Sequence, residues 1–88
     1  MKKRTKLEVI RDLLLILRAK KDVRITPLIY KSNLSNNSIK PYLKYLLERN
    51  LVLKTETEKI SVFNISKKGM EFLEEFDKIK IFSEAYGL

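Results

Sequence analysis

Apolar positions recur at spacings of three and four near the start of the chain, where Leu7, Ile10, Leu14 and Leu17 form one stripe. Val9, Leu13 and Ile16 widen that stripe well beyond a single face. Thr5 and Glu8 stand ahead of it at capping-box spacing, so the pattern predicts a first helix over about 5–20. Val23-Arg24-Ile25 suits a brief strand, and Thr26-Pro27 reads as an N-cap followed by proline at the first position of a short second helix ending near Ser32. Asn33 accepts the left-handed conformation that closes a helix, and Ser35, Asn36, Asn37 and Ser38 crowd candidate caps for a third just beyond it. Two helices joined by about four residues make a helix-turn-helix.

The third helix is expected to reach about Asn50, with Ile39, Leu43, Leu46, Leu47 and Asn50 on its apolar side. Its opposite side presents Asn37, Ser38, Pro41, Tyr45 and Glu48, flanked by Lys44 on one edge and by Tyr42 and Arg49 on the other. Proline beyond the first turn removes a helical hydrogen bond, so Pro41 argues for a start as late as Asn37 or Ser38. From Leu51 the period changes to two. Leu51 and Leu53 share one face, and Ser61, Phe63 and Ile65 alternate with Val62 and Asn64, which predicts a hairpin with a polar tip over 55–59. Ser66 then caps a last helix in which Phe72, Leu73, Phe76, Ile79, Phe82 and Tyr86 recur at helical spacing. The fold class is therefore mostly α with a small antiparallel β-hairpin, in one domain over 1–88 that comprises a basic arm at 1–4 and a C-terminal helix at 66–88.

Composition narrows the function. With no His and no Cys the sequence offers no Cys/His zinc site, no thiol nucleophile and no imidazole base, and two glycines cannot build a phosphate-cradling loop. An enzyme is not expected, nor a cofactor or a metal. The longest apolar run, 13–17, is far short of the ~20 residues that span a bilayer, so no membrane segment or leader is expected. Net charge is +8, and it is unevenly placed: residues 1–50 carry thirteen Lys and Arg against four acids, whereas 51–88 carry six against seven. A polyanionic partner bound by the first part fits that polarity, because neutralising phosphates releases counterions.

The order helix, short strand, helix, turn, helix, hairpin is that of a winged helix-turn-helix. TPLIYKSNLS at 26–35, YLKYLLERNLV at 42–52 and FNISKKGMEFLEEF at 63–76 resemble the archaeal winged-helix regulators and, more broadly, the archaeal ten-kilodalton DNA-binding proteins, over about 23–79. The resemblance implies that the third helix, about 36–50, enters the major groove of double-stranded DNA, that the hairpin is a wing beside it, and that the last helix pairs two subunits. It implies a cytoplasmic, nucleoid-associated transcriptional regulator. An architectural DNA coater and a protein-interaction module on the same scaffold are the alternatives.

Candidate DNA contacts are Ser35, Asn36, Asn37, Ser38, Lys40, Pro41, Lys44 and Tyr45 on the third helix, with Lys54 and Lys59 on the hairpin. Asn bridges adenine N6 and N7, and Ser bonds either base edge, although the same side chains are the preferred helix caps. Tyr45, central on the outward face, is expected outside the core. Lys40 and Lys44 are largely unpaired, Glu48 being the one acid at helical spacing. Glu56 and Glu58 at the hairpin tip oppose any approach of Lys54 and Lys59 to a minor groove. The arm ending at Arg4 reads equally as a phosphate anchor or a frayed terminus. Leu7, Ile10, Leu14 and Leu17 of the first helix, with Phe72, Leu73, Phe76, Ile79 and Phe82 of the last, are the expected homodimer face, since they exceed what a small monomer usually covers.

Overall fold

The structure, a computed structural model, describes residues 4–87. The lysines of the expected basic arm, Lys2 and Lys3, lie outside those residues. Helix α1 spans Lys6–Ala19 and opens on the expected capping box: the Thr5 hydroxyl accepts from the Glu8 N–H, and the Glu8 carboxylate accepts from the Thr5 N–H, both at 3.1 Å. Val9, Ile10, Leu13, Leu14 and Leu17 are buried along it. The unusual width of this apolar face has an intramolecular cause, because α1 packs against three other helices and the hairpin at once. A helix covered on several sides needs apolar residues on several sides. Ile10, Leu14 and Leu17 are therefore core residues of the protomer, at 3%, 0% and 2% exposure, and are not free to meet a partner as expected.

Helix α2, Ile25–Ser32, starts one residue before the expected cap at Thr26. Arg24 takes the cap position without a side-chain bond, and Pro27 is the third helical residue rather than the first. This costs little, because the first four N–H groups of a helix lack intrahelical acceptors anyway. The boundary is set at a distance. Val23 exchanges two backbone hydrogen bonds with Phe63 at 3.1 and 2.8 Å, so the expected short strand is a single bridge that holds the chain extended to Arg24. Asn33 ends α2 in the left-handed conformation, φ 59° and ψ 31°.

Helix α3, Asn36–Glu48, is capped by the Ser35 hydroxyl, which accepts from the Ser38 N–H at 3.0 Å. Pro41 lies inside the helix, which starts earlier than proline alone would suggest and stops two residues short of Asn50. Proline leaves the Asn37 carbonyl without its helical donor, a loss that water offsets on this exposed side. Ile39, Leu43 and Leu46 are buried, and Leu47 packs partly against the same core. Asn50 takes a left-handed conformation outside the helix instead of extending its apolar side.

That turn alters the phase of the hairpin. Leu51 is buried ahead of the strand, and β1, Val52–Glu56, directs Val52 inward while Leu53 is exposed, so Leu51 and Leu53 do not share a buried face. Strand β2, Ser61–Ile65, pairs antiparallel with β1 and buries Phe63. The Thr57 hydroxyl closes the tip by accepting from the Ile60 N–H at 3.2 Å.

Helix α4, Lys67–Ala85, is capped by Ser66, whose hydroxyl accepts from the Gly69 N–H at 3.0 Å and donates to the Asn50 carbonyl at 2.6 Å. Leu73, at 1% exposure, belongs to the protomer core and not to a subunit face, and Phe72 packs partly against that core. Beyond Phe76 the helix is mostly exposed, although Ile79, Lys80 and Ser83 still border a groove with α1. The radius of gyration, 13.8 Å, accordingly exceeds the ~12 Å of a compact chain of this length.

Candidate nucleic-acid interface

The turn 33–35 and the Ser35 cap set the start of α3 on the surface, where Asn36, Asn37, Ser38, Lys40, Pro41, Lys44 and Glu48 are all exposed. Ser35 is occupied locally, since its hydroxyl also donates to the Ser38 hydroxyl at 2.8 Å. Ser38 keeps its own hydroxyl proton to give outward. The Asn36 and Asn37 amides make no hydrogen bond among the described residues, which leaves donor and acceptor groups side by side at the start of the helix. Lys40 has no ion pair among the described residues, and Lys44 reaches Glu48 only at 3.9 Å with both side chains largely exposed. Such a pair is worth at most ~1 kcal/mol and yields readily to a phosphate.

Tyr45 departs from expectation. It is half-buried and packs partly against the core. Its ring holds two cations: Lys6 Nζ lies 4.5 Å from the centroid and the Arg49 guanidinium 4.6 Å. Lys6 comes from the first turn of α1, so the outward surface of α3 continues onto another helix.

On the hairpin, Lys54 Nζ lies 2.8 Å from the Glu56 carboxylate. That hydrogen bond and the adjacent positive charge hold the Glu56 carboxyl below the usual carboxylate range. The lowered pKa means the pair is lost only as pH falls through that lowered value, and at neutral pH Glu56 keeps a negative charge beside Lys54. Lys59 is exposed at the tip and shares a shallow cleft with Arg24, Thr57, Glu58 and Ile60. Arg24 thus adds a cation beside the tip from the start of α2.

A family model described as winged helix-turn-helix matches residues 3–84. The chain belongs to the winged helix-turn-helix family. In it, α2 and α3 are the helix-turn-helix and β1–β2 is the wing, followed by the C-terminal helix that the sequence pattern predicts. Among solved structures, Sso10a-2, a DNA-binding protein from Sulfolobus solfataricus, is similar at 22% identity and a TM-score of 0.76, over 96% of this chain and 87% of that one. AF1382 from Archaeoglobus fulgidus is similar at 18% identity and a TM-score of 0.69, over 96% and 92%. The transcriptional repressor CouR, solved bound to a 23-mer DNA duplex, is similar at 19% identity and a TM-score of 0.71, over 86% of this chain and 54% of that one. A comparison with curated protein sequences gave no match.

Three cations of this winged-helix surface, Lys6, Arg24 and Arg49, fall outside the expected contacts. Arg49 stands on the flank of the third helix by spacing alone, whereas Lys6 and Arg24 meet the site only through tertiary packing. Arg4 is tied back instead: its guanidinium donates to Asp12 at 3.0 Å and to the Ser32 carbonyl at 2.8 Å, which removes it from service as a free anchor. Of the expected subunit face, Leu7, Ile79 and Phe82 are 50%, 65% and 59% exposed, and Phe76 is half-buried with the Arg11 guanidinium 5.3 Å from its ring centroid. No helix among the described residues is long and apolar enough to cross a membrane.

Proposed function

We propose that this chain is a homodimeric, sequence-specific regulator of transcription that binds double-stranded DNA, with α3 in the major groove, and that it is not an enzyme. The exposed face of α3 carries the reading. It offers unpaired amide and hydroxyl groups at Asn36, Asn37 and Ser38 for base edges, with Lys40 and Lys44 beside them for phosphates. A single helix of this kind reads too few bases for tight binding, and two copies joined through Leu7, Phe76, Ile79 and Phe82 supply a second. The site of action follows from the ligand: the cytoplasmic nucleoid.

A second reading, an architectural DNA coater, has support in the description of Sso10a-2 simply as a DNA-binding protein. The two separate by selectivity. A regulator binds a selected site at least ~10³-fold more tightly than random duplex, whereas a coater discriminates little.

Titration of a labelled duplex at rising salt tests DNA binding itself. Each neutralised phosphate contributes about −0.9 to the slope of log K against log [salt], so two subunits are expected to give a slope steeper than about −4. A flat profile between low and physiological ionic strength would refute DNA as the ligand.

A further inference from the structure

We propose that Lys6, Tyr45 and Arg49 form a phosphate clamp that grips one wall of the major groove, opposite the wall addressed by Lys40 and Lys44. The inference rests on the reading of α3 as the groove-entering helix and adds a site on its other flank, built partly by α1.

Side chains five residues apart on an α-helix lie about 140° apart around its axis. Lys40 to Tyr45 and Lys44 to Arg49 are both such steps, so these pairs stand on opposite edges of the exposed arc, with Asn37, Pro41 and Glu48 between them. A helix with its side chains is about 10–12 Å across and the major groove is about 12 Å wide. The middle of the arc then faces bases and its two edges face the two phosphate backbones.

The second edge is prepared for an anion. Lys6 Nζ and the Arg49 guanidinium lie 4.5 and 4.6 Å from the Tyr45 centroid, which puts the two charges within about 9 Å of each other. Neither has an acidic partner among the ion pairs of the described residues. Like charges gathered around one ring repel, and an anion that reaches either of them relieves the repulsion. Tyr45 supplies the floor: being half-buried against the core, it fixes the height at which two otherwise mobile cations stand. Lys6 and Tyr45 border a cleft with Pro41, Tyr42, Lys44 and Glu48 that crosses the arc to its other edge and leaves Arg49 outside, and its one acid lies 3.9 Å from Lys44. A phosphodiester fits this chemistry: one negative charge, two free oxygens, and a planar guanidinium and an ammonium to receive them.

The test uses Lys6→Gln and Arg49→Gln in the full chain, with circular dichroism as the check on folding. Each is expected to weaken binding to specific and random duplex alike by roughly five- to tenfold near 0.1 M salt, and to flatten the salt slope by about 0.9 per protomer. Duplexes carrying a single neutral methylphosphonate then locate the contact. For wild type one backbone position on each half-site is expected to matter, and the same substitution is expected to cost clearly less in Lys6→Gln and in Arg49→Gln, where one cation of the pair is already gone. A different position, on the other strand, is expected to lose its effect in Lys44→Ala. If wild type binds with a steep salt slope but Lys6→Gln and Arg49→Gln keep that slope, the clamp is overturned while α3 as a DNA-binding helix stands. A wild type without salt-dependent binding overturns both.

Discussion

Ile79→Lys combined with Phe82→Lys is expected to yield a folded monomer whose DNA affinity is lower by roughly two to four orders of magnitude, the range that joining two binding modules commonly supplies. Both side chains are mostly exposed in the protomer, at 65% and 59%, so their replacement removes no core packing. Phe76 is a poorer choice, since it is half-covered beneath Arg11. Leu7 and Ile79 border one groove between α1 and α4, and Phe82 stands exposed nearly one turn further along α4. Each large side chain taken fully out of water contributes roughly 1.5–3 kcal/mol, and a two-fold interface counts every residue twice. Sedimentation at micromolar concentration checks the first half of this expectation, and titration of a two-half-site duplex checks the second. A wild-type monomer would refute it.

Gly69→Ala is expected to destabilise the fold by about 1–3 kcal/mol, the cost of forcing extra atoms into a packed site. A Cβ at this position would overlap the Leu51 carbonyl oxygen and come within 2.7 Å of Ile65 Cγ1. The carbonyl is backbone and already accepts the Ser66 N–H at 3.1 Å, so it cannot move aside without loosening the start of α4. Alanine favours helices over glycine by about 1 kcal/mol in a helix interior, and less in the first turn where Gly69 stands, so crowding wins. Urea unfolding measures the difference. An unchanged midpoint would mean that α4 does not approach the Leu51 turn so closely.

Local chemistry makes most of the elements legible in the sequence. The Thr5 and Glu8 capping box, the left-handed Asn33 and the cap at Ser66 each depend on neighbours within four residues and stand where the pattern places them, whereas Ser35 is the first of four candidate caps and lies ahead of the start that Pro41 suggests. Features that depend on distant partners are not legible in this way. Helix α2 starts at Ile25 because Val23 bonds Phe63, forty residues away. The 3.6-residue period marks Ile10, Leu14, Leu17 and Leu73 as facing something apolar, but it does not distinguish the protomer's own core from a partner's surface. The outward face of α3 is legible as a set of residues, because helical spacing alone orders Asn37, Ser38, Lys40, Pro41 and Lys44 on it. Spacing puts Tyr45 on that face but not in its cation pair, since Lys6 arrives from another helix. On the hairpin the sequence shows acids beside Lys54 and Lys59, while the ion pair that Lys54 makes with Glu56 is seen only in the structure.

The central claim, that α3 reads base sequence from the major groove, is tested most directly by titrating Asn37→Ala and Lys44→Ala on a selected site and on random duplex in parallel. Asn37 stands at the exposed start of the helix, where base edges are met, and Lys44 on the flank, where phosphates lie. Asn37→Ala is expected to cost about 1–3 kcal/mol at one base position in each half-site and little on random duplex. Lys44→Ala is expected to weaken both and to flatten the salt slope by about one for each phosphate left without its lysine. Equal weakening of selected and random duplex by both substitutions would contradict the claim, leaving α3 as a holder of phosphates rather than a reader of sequence.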